Sequence, residues 1–284
     1  MDLHFAAALF FIGGVIGITL GGGTAMGTDQ GAVESIPWKT LCFTGKEMRR
    51  EEKYLVPETE YALYVNGMHY CQWMCSPWDL EDLAWGTLYG KGEIRSLWVN
   101  EKEQRVEVEM SGVMKDAKNN KIKETTKETA EEMEEGAADE RWETHISPEQ
   151  VIALSSALDQ ASRGFRRTGG VHMAALGDDG KLLLIREDVG RHNAMEKLMG
   201  ACARQKVDPK GKCIVFSGRV AAEILEKAAL LGASTVIAVS APTSRACRLA
   251  EEKGILLIGF ARGDSFNVYT FPERVIQKER EQGD

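Results

Sequence analysis

Residues 186–200 read REDVGRHNAMEKLMG. Arg186, Glu187, Asp188, Arg191, His192 and Asn193 are crowded between an apolar run, Lys181–Ile185, and a helical pattern, Ala194–Ala203. Charged residues where a strand hands over to a helix make a poor core and a good binding rim, because the first backbone N–H groups of a helix are free to receive an anion. Upstream, Val171–Leu176 and Leu182–Ile185 read as strands joined by the turn Gly177-Asp178-Asp179-Gly180. Downstream come a helix over Ala194–Gln205, a strand over Cys213–Phe216 and a helix over Ala221–Leu231 ended by Gly232. A strand over Thr235–Val239, a helix over Arg245–Lys253 ended by Gly254, and strands over Ile255–Phe260 and Asn267–Thr270 complete the pattern. Alternation of this kind predicts an α/β fold with a layered, partly parallel sheet.

Each of these strands is followed by polar residues. Glu187, Asp188, Arg191 and His192 follow the first; Ser217, Gly218 and Arg219 the next; Ser240, Pro242, Thr243, Ser244 and Arg245 the third; Arg262, Gly263, Asp264 and Ser265 the last. In open α/β sheets the ligand crevice lies beyond the carboxyl ends of the strands. Arginines there add bidentate phosphate contacts. One Ser-Gly-Arg turn alone would read as an ordinary helix cap. Four in series predict a shared rim for a ligand with a diphosphate or several phosphates. His192 reads two ways, as an acid–base or hydrogen-bonding group toward a ligand or as a structural partner of Asp188.

The N-terminal half is less regular. Tyr61–Val65, the turn Asn66-Gly67 and His69–Cys75 predict a hairpin. Ser76-Pro77 predicts the cap and first turn of a helix over Trp78–Tyr89, and Ser96–Met110 one or two strands. Glu34–Lys53 reads as mixed short segments. Lys115–Glu143 is nearly all charged or polar and reads as a solvated helix, linker or loop. Ser147-Pro148-Glu149-Gln150 then opens a helix with a capping-box pattern. The expected organisation is an apolar N-terminal segment over 1–30, a smaller α+β domain over 31–112, a charged linker over 113–146 and an α/β domain over 147–284.

The chain has 284 residues, of which 43% are hydrophobic, enough for a substantial core. A net charge of −8 excludes bulk affinity for nucleic acid, so an anionic ligand needs a local arginine cluster. The six cysteines have no disulfide-scaffold spacing, which fits a reducing compartment. Cys202, Cys213 and Cys247 fall in apolar patterns and read as core residues. Leu3–Leu20 is long for a signal peptide core and short for a membrane span. Lys39, Lys46, Arg49 and Arg50 follow it, so a cytoplasmic body is expected, with the run either a tether to the inner membrane face or a start that packs or frays. A zinc deaminase would need H-x-E and P-C-x-x-C; neither occurs, and no zinc or other resident metal is expected.

Beyond the opening stretch, four runs carry a resemblance: Ser217–Leu231 (SGRVAAEILEKAALL), Ser240–Ser244 (SAPTS), Leu257–Thr270 (LIGFARGDSFNVYT) and Cys75–Tyr89 (CSPWDLEDLAWGTLY). Together they resemble the FdhD-like family of formate dehydrogenase accessory sulfurtransferases, over roughly Tyr61–Met110 and Gly169–Arg274. The resemblance implies a three-layer α/β C-terminal domain similar to the cytidine deaminase fold, beside the smaller N-terminal domain. It implies binding of the molybdenum cofactor in its bis-guanine-dinucleotide form, as cargo. It implies a cysteine desulfurase as sulfur donor, the catalytic subunit of formate dehydrogenase as client, and a homodimer. Phe260, Ala261, Arg262, Gly263, Asp264 and Ser265 match the family's cofactor-contacting segment; Arg191, His192, Ser217, Arg219, Ser240 and Thr243 complete the expected site. The sequence departs from the family at the sulfur relay. A Cys-Gly-x-Cys-Gly-like loop belongs in the interval Ser111–Ser147, which contains no cysteine. Either another cysteine relays sulfur, or the chain keeps cofactor binding as a carrier without relay. Cys71 and Cys75 are the substitute candidates. Cys75 precedes a helix start, which favours a thiolate, although both also read as packing thiols.

Overall fold

A computed structural model describes residues 34–111 and 144–276. The apolar run Leu3–Leu20 and the charged stretch Lys115–Glu143 lie outside them. Strands β1 (Ile36–Thr44) and β2 (Glu47–Leu55) form one long antiparallel hairpin, paired residue for residue from Ile36–Leu55 to Thr44–Glu47. The sequence reading of mixed short segments was incorrect here. Both faces of this ribbon are largely solvent-exposed, and β2 is mostly charged, so no alternation of buried apolar and exposed polar residues marked its strands.

Next, β3 (Thr59–Val65) and β4 (Met68–Cys75) pair through Asn66-Gly67, whose φ values of 50° and 77° are those of a type I′ turn. Helix α1 (Leu80–Thr87) follows, then β5 (Glu93–Asn100) and β6 (Arg105–Ser111). The four strands make a sheet in the order β4-β3-β6-β5, with β3 and β6 parallel. Tyr61, Leu63, Val65, Val106, Val108 and Met110 bury one face of it against Leu80, Leu83, Ala84 and Leu88. Helix α1 starts later than Ser76-Pro77 suggested. Its N-cap is Asp79, in a left-handed conformation without a side-chain cap bond, because the Ser76 hydroxyl is committed elsewhere, accepting from Val189 N.

Helix α2 (Pro148–Ala161) realises the expected capping box: Ser147 Oγ accepts from Gln150 N, and Gln150 Oε1 accepts from Ser147 N. A short helix, α3 (Arg163–Thr168), precedes β7 (His172–Asp178) and β8 (Lys181–Asp188). Then come α4 (Arg191–Gln205), β9 (Cys213–Phe216), α5 (Ala222–Leu230), β10 (Thr235–Ala238), α6 (Ser244–Lys253), β11 (Leu256–Arg262) and β12 (Ser265–Val268). The six strands order as β12-β11-β10-β9-β7-β8. Strands β9, β10 and β11 are mutually parallel, and β7 is antiparallel to both β8 and β9. The carboxyl ends of β8, β9, β10 and β11 therefore share one edge, together with the start of β7. One face of the sheet packs on α4, α5 and α6 through residues such as Leu198, Ile224 and Ala246. The other packs on α2 through Val151, Leu154 and Leu158. The result is three layers in a mixed α/β protein. Among the described residues no helix is long and apolar enough to cross a membrane.

The two sheets are joined helix to helix. Gly86 of α1 lies against the backbone of Glu196 in α4, and Gly200 of α4 against the backbone of Asp82 in α1. A Cβ on either would fall 1.8 Å from Glu196 O or 1.9 Å from Asp82 O. The pair is reciprocal, with each glycine four residues from the backbone that the other touches, so only glycine allows this crossing. Gly200→Ala should force the helices apart and cost about 3 kcal/mol, measured by denaturant unfolding; a variant as stable as the parent would contradict the close crossing.

Candidate functional site

The residues of 186–200 divide between two tasks. Arg186, Asp188, Asn193 and Lys197 turn toward the N-terminal sheet and lock its β4–α1 turn in place, and the Glu187 carbonyl joins them. Asp188 and Lys197 are closed to solvent and paired at 2.6 Å. Asp188 also accepts from Ser76 N, Gly190 N and Asn193 Nδ2. Lys197 donates to Ser76 O, with its ammonium over the Trp78 ring. Asp82 is clamped between Arg186 and Arg204, each at 2.6 Å. Glu187 accepts from Gly164 N through Oε2, and its carbonyl accepts from Trp78 Nε1. The expectation that the polar residues of this run form a ligand rim is corrected for Arg186, Glu187, Asp188 and Asn193. They make a buried seam, and each finds its partner in a segment distant in sequence.

Arg191 and His192 stand on the other side of the turn, at the start of α4 and so on the carboxyl edge. Arg191 Nε and His192 Nε2 are shielded from solvent without a hydrogen-bond partner among the described residues. Glu223 lies 2.9 Å from His192 Nε2 but out of hydrogen-bond alignment. Burial, then the Lys227 and Arg191 charges, lower the pKa of His192, while Glu223 and Glu196 oppose them. His172, which opens β7 on the same edge, is lowered by burial and by Arg191. A Cβ on Gly218 would come within 3.3 Å of His172 Nδ1, so this histidine borders the Ser217–Arg219 turn. The sequence reading omitted His172 from the site. Its only signal was its place at the start of a strand, after Gly169-Gly170.

The remaining strand ends fill the edge. Ser217 spends its hydroxyl accepting from Met173 N at 2.8 Å, and Thr243 spends its own capping α6 at Ala246 N; both shape the edge with those groups. The Ser240 carbonyl accepts from Phe260 N. Phe260 holds a left-handed φ of 53° inside β11 and leaves its ring 45% exposed. A bulky residue in this conformation is a strained feature of the kind that clusters at ligand sites. The irregular register between Gly259 and Arg262 produces it. Ala261 differs from its neighbours: its side chain is buried in the α2-facing core, and its carbonyl accepts from Ser155. Arg262 Nε donates to Val239 O at 2.8 Å, tying β11 to β10 at the rim. Arg219, Arg245, Arg262, Gly263, Asp264 and Ser265 are exposed. The edge thus carries three exposed guanidinium groups, two shielded nitrogens without partners, and the starts of α4, α5 and α6. Exposed guanidinium groups and helix starts are the chemistry that can receive an anion.

Four of the cysteines are placed against thiolate chemistry. Cys75 is fully buried in the core beneath the four-stranded sheet, and burial pushes its thiol up to about 12. Cys71 packs beside that core, with its thiol also pushed by burial to about 12. The helix start after Cys75 does not activate it, because the chain first leaves the core through Ser76–Asp79 and desolvation outweighs the Lys197 charge. Burial likewise raises Cys202 to about 12 and Cys213 to about 11. Among the described residues no three His, Cys, Asp or Glu side chains converge as a metal ion would require.

The FdhD/NarQ family profile matches residues 56–276. The sulfur carrier protein FdhD of Bacillus licheniformis is 36% identical over 260 residues, covering 84% of this chain and 95% of the relative. The protein of the same name from Bacillus subtilis is 38% identical over 244 residues, covering 81% and 93%. A crystal structure described as a formate dehydrogenase accessory protein from Desulfotalea psychrophila superposes with a TM-score of 0.67 at 23% identity, over 85% of this chain and 99% of that one. That likeness carries the fold, and the sequence relatives carry the kinship. The chain belongs to the FdhD/NarQ family.

Proposed function

We propose that the carboxyl edge of the six-stranded sheet grips the molybdenum cofactor in its bis-guanine-dinucleotide form, as cargo in the cytoplasmic maturation of a formate dehydrogenase. The observation that carries this reading is the convergence of four strand ends on one edge with exposed Arg219, Arg245 and Arg262. Guanidinium groups and helix starts suit the ligand's diphosphates. The shielded Arg191 Nε would gain the hydrogen-bond partner it lacks. The exposed Phe260 ring offers a face on which a guanine can stack. The cofactor supplies the molybdenum chemistry of the client enzyme; these residues bind and orient it.

Family kinship favours sulfur transfer onto that cofactor, with a cysteine desulfurase as donor and the catalytic subunit of formate dehydrogenase as recipient. A persulfide relay needs an accessible thiolate. The buried, raised thiols of Cys71 and Cys75 favour the second reading, a carrier that holds the cofactor without relaying sulfur. Incubation with a cysteine desulfurase and cysteine, followed by persulfide trapping and mass spectrometry, separates the two. No label on Cys71 or Cys75 is expected, and label on either would restore it as the relay group.

Arg262→Ala tests the rim itself. Loss of one charge-assisted contact should weaken binding of the cofactor or of GDP about tenfold with an unchanged unfolding midpoint. Unchanged affinity by calorimetry would contradict the assignment.

A further inference from the structure

His172 opens β7 at the carboxyl edge and is half-buried there. Burial and the Arg191 charge hold its pKa below the ordinary histidine value, His192 adds to the lowering, and Asp188 opposes them. Among the described residues its ring makes no hydrogen bond. The carboxylate that acts on it, Asp188, is already committed to Ser76 N, Gly190 N, Asn193 Nδ2 and Lys197. His192 is placed differently: Glu223 lies 2.9 Å from its Nε2, and Lys227 and Glu196 act on it as well. A half-buried imidazole without a partner loses hydration and gains no bond in return.

The groups around His172 are incomplete in the same sense. Arg191 Nε is shielded without a hydrogen-bond partner. Helix α4 starts from Gly190 and α5 from Ala221, and neither cap supplies a side-chain hydrogen bond, whereas Ser147 caps α2 and Thr243 caps α6. The first N–H groups of α4 and α5 are left for another acceptor. The contact between His192 and Glu223 brings these two helix starts together. Beside His172 runs the Ser217–Arg219 turn, held to β7 because Ser217 N donates to Met173 O and Met173 N donates to Ser217 Oγ. A Cβ on Gly218 would stand 3.0 Å from Phe216 Cε1 and 3.3 Å from His172 Nδ1, so glycine keeps the approach to that nitrogen open. An unpartnered imidazole, an unpartnered guanidinium nitrogen and two uncapped helix starts all lack an acceptor. An oxyanion supplies one to each.

We infer that His172 is a further ligand-binding residue of this edge: together with Arg191 it holds an oxygen of a diphosphate, and it takes up a proton from solvent as the diphosphate binds. This rests on the reading of the edge as a diphosphate site. Neutral imidazole has one donor and imidazolium two, and a neighbouring anion favours the charged form. The sign follows. His172 is neutral in the free protein and charged in the complex, so affinity rises as pH falls through the ordinary histidine value of about 6.5, and levels off at higher pH where the ring stays neutral in both states.

The probe is GDP-mannose, whose diphosphate is esterified at both ends and does not itself titrate between about pH 5 and 8. Calorimetry on the full chain should find its Kd about tenfold tighter at about pH 6 than at about pH 8. In buffers of different ionisation heat, the binding heat at about pH 6 should differ by the amount that uptake of a proton requires. His172→Gln keeps a neutral donor and should bind as the parent does at about pH 8, but without the pH dependence and without proton uptake. A purely structural role for His172 would change the unfolding midpoint and leave the pH slope in place. Parental binding that is independent of pH, or a slope that His172→Gln retains, would overturn the inference and leave the diphosphate edge standing. No binding of GDP-mannose at any pH would overturn both.

Discussion

A single carboxylate closed to solvent organises the middle of this protein. Asp188 accepts from Ser76 N, Gly190 N and Asn193 Nδ2 at 3.1, 2.7 and 3.0 Å, and pairs with Lys197 at 2.6 Å. Four donors offset the cost of removing the charge from water. They also come from both parts of the fold: Ser76 lies just after the four-stranded sheet, while Gly190, Asn193 and Lys197 belong to the turn and helix that follow β8. One side chain therefore fixes how the small sheet sits on the large one and where α4 begins. The glycine crossing of α1 and α4 and the Arg186–Asp82–Arg204 clamp continue the same seam.

That seam bears on function through position. Arg191 and His192 follow Gly190 directly, so the hydrogen bonds that hold Asp188 also set the direction in which these two side chains leave the helix start. Their shielded nitrogens lie beside the histidine that opens β7 and next to the strand ends that carry Arg219, Arg245 and Arg262. The carboxyl edge is rigid where it meets the seam. At its far end it carries local strain, in the left-handed Phe260, and there the exposed ring and the flanking arginines are displayed.

Much of this was legible in the sequence. The alternating pattern after Val171 located every strand and helix of the large sheet to within a few residues, because β7, β9, β10 and β11 are buried over most of their length and read as short apolar runs. The four strand ends were foreseen as polar, and the sheet order puts them on one edge. Three things were not legible. The charged half of the Arg186–Gly200 run looked like a site because its partners, Ser76, Trp78 and Asp82, lie more than a hundred residues away. The β1–β2 hairpin was missed because both of its faces are solvated and leave no period-two signal. Cys75 was read as poised for a thiolate from its place before a helix, whereas its burial, which decides the matter, depends on side chains of β3, β6 and α1.

The most direct test of the account is hydrogen–deuterium exchange with and without the bis-guanine-dinucleotide cofactor, or with GDP as its guanine half. Slower exchange is expected at 189–193, 217–221, 240–245 and 259–265 together, with 36–55 unchanged. Protection confined to the four-stranded sheet, or none at those four segments under saturating ligand, would contradict a shared binding edge.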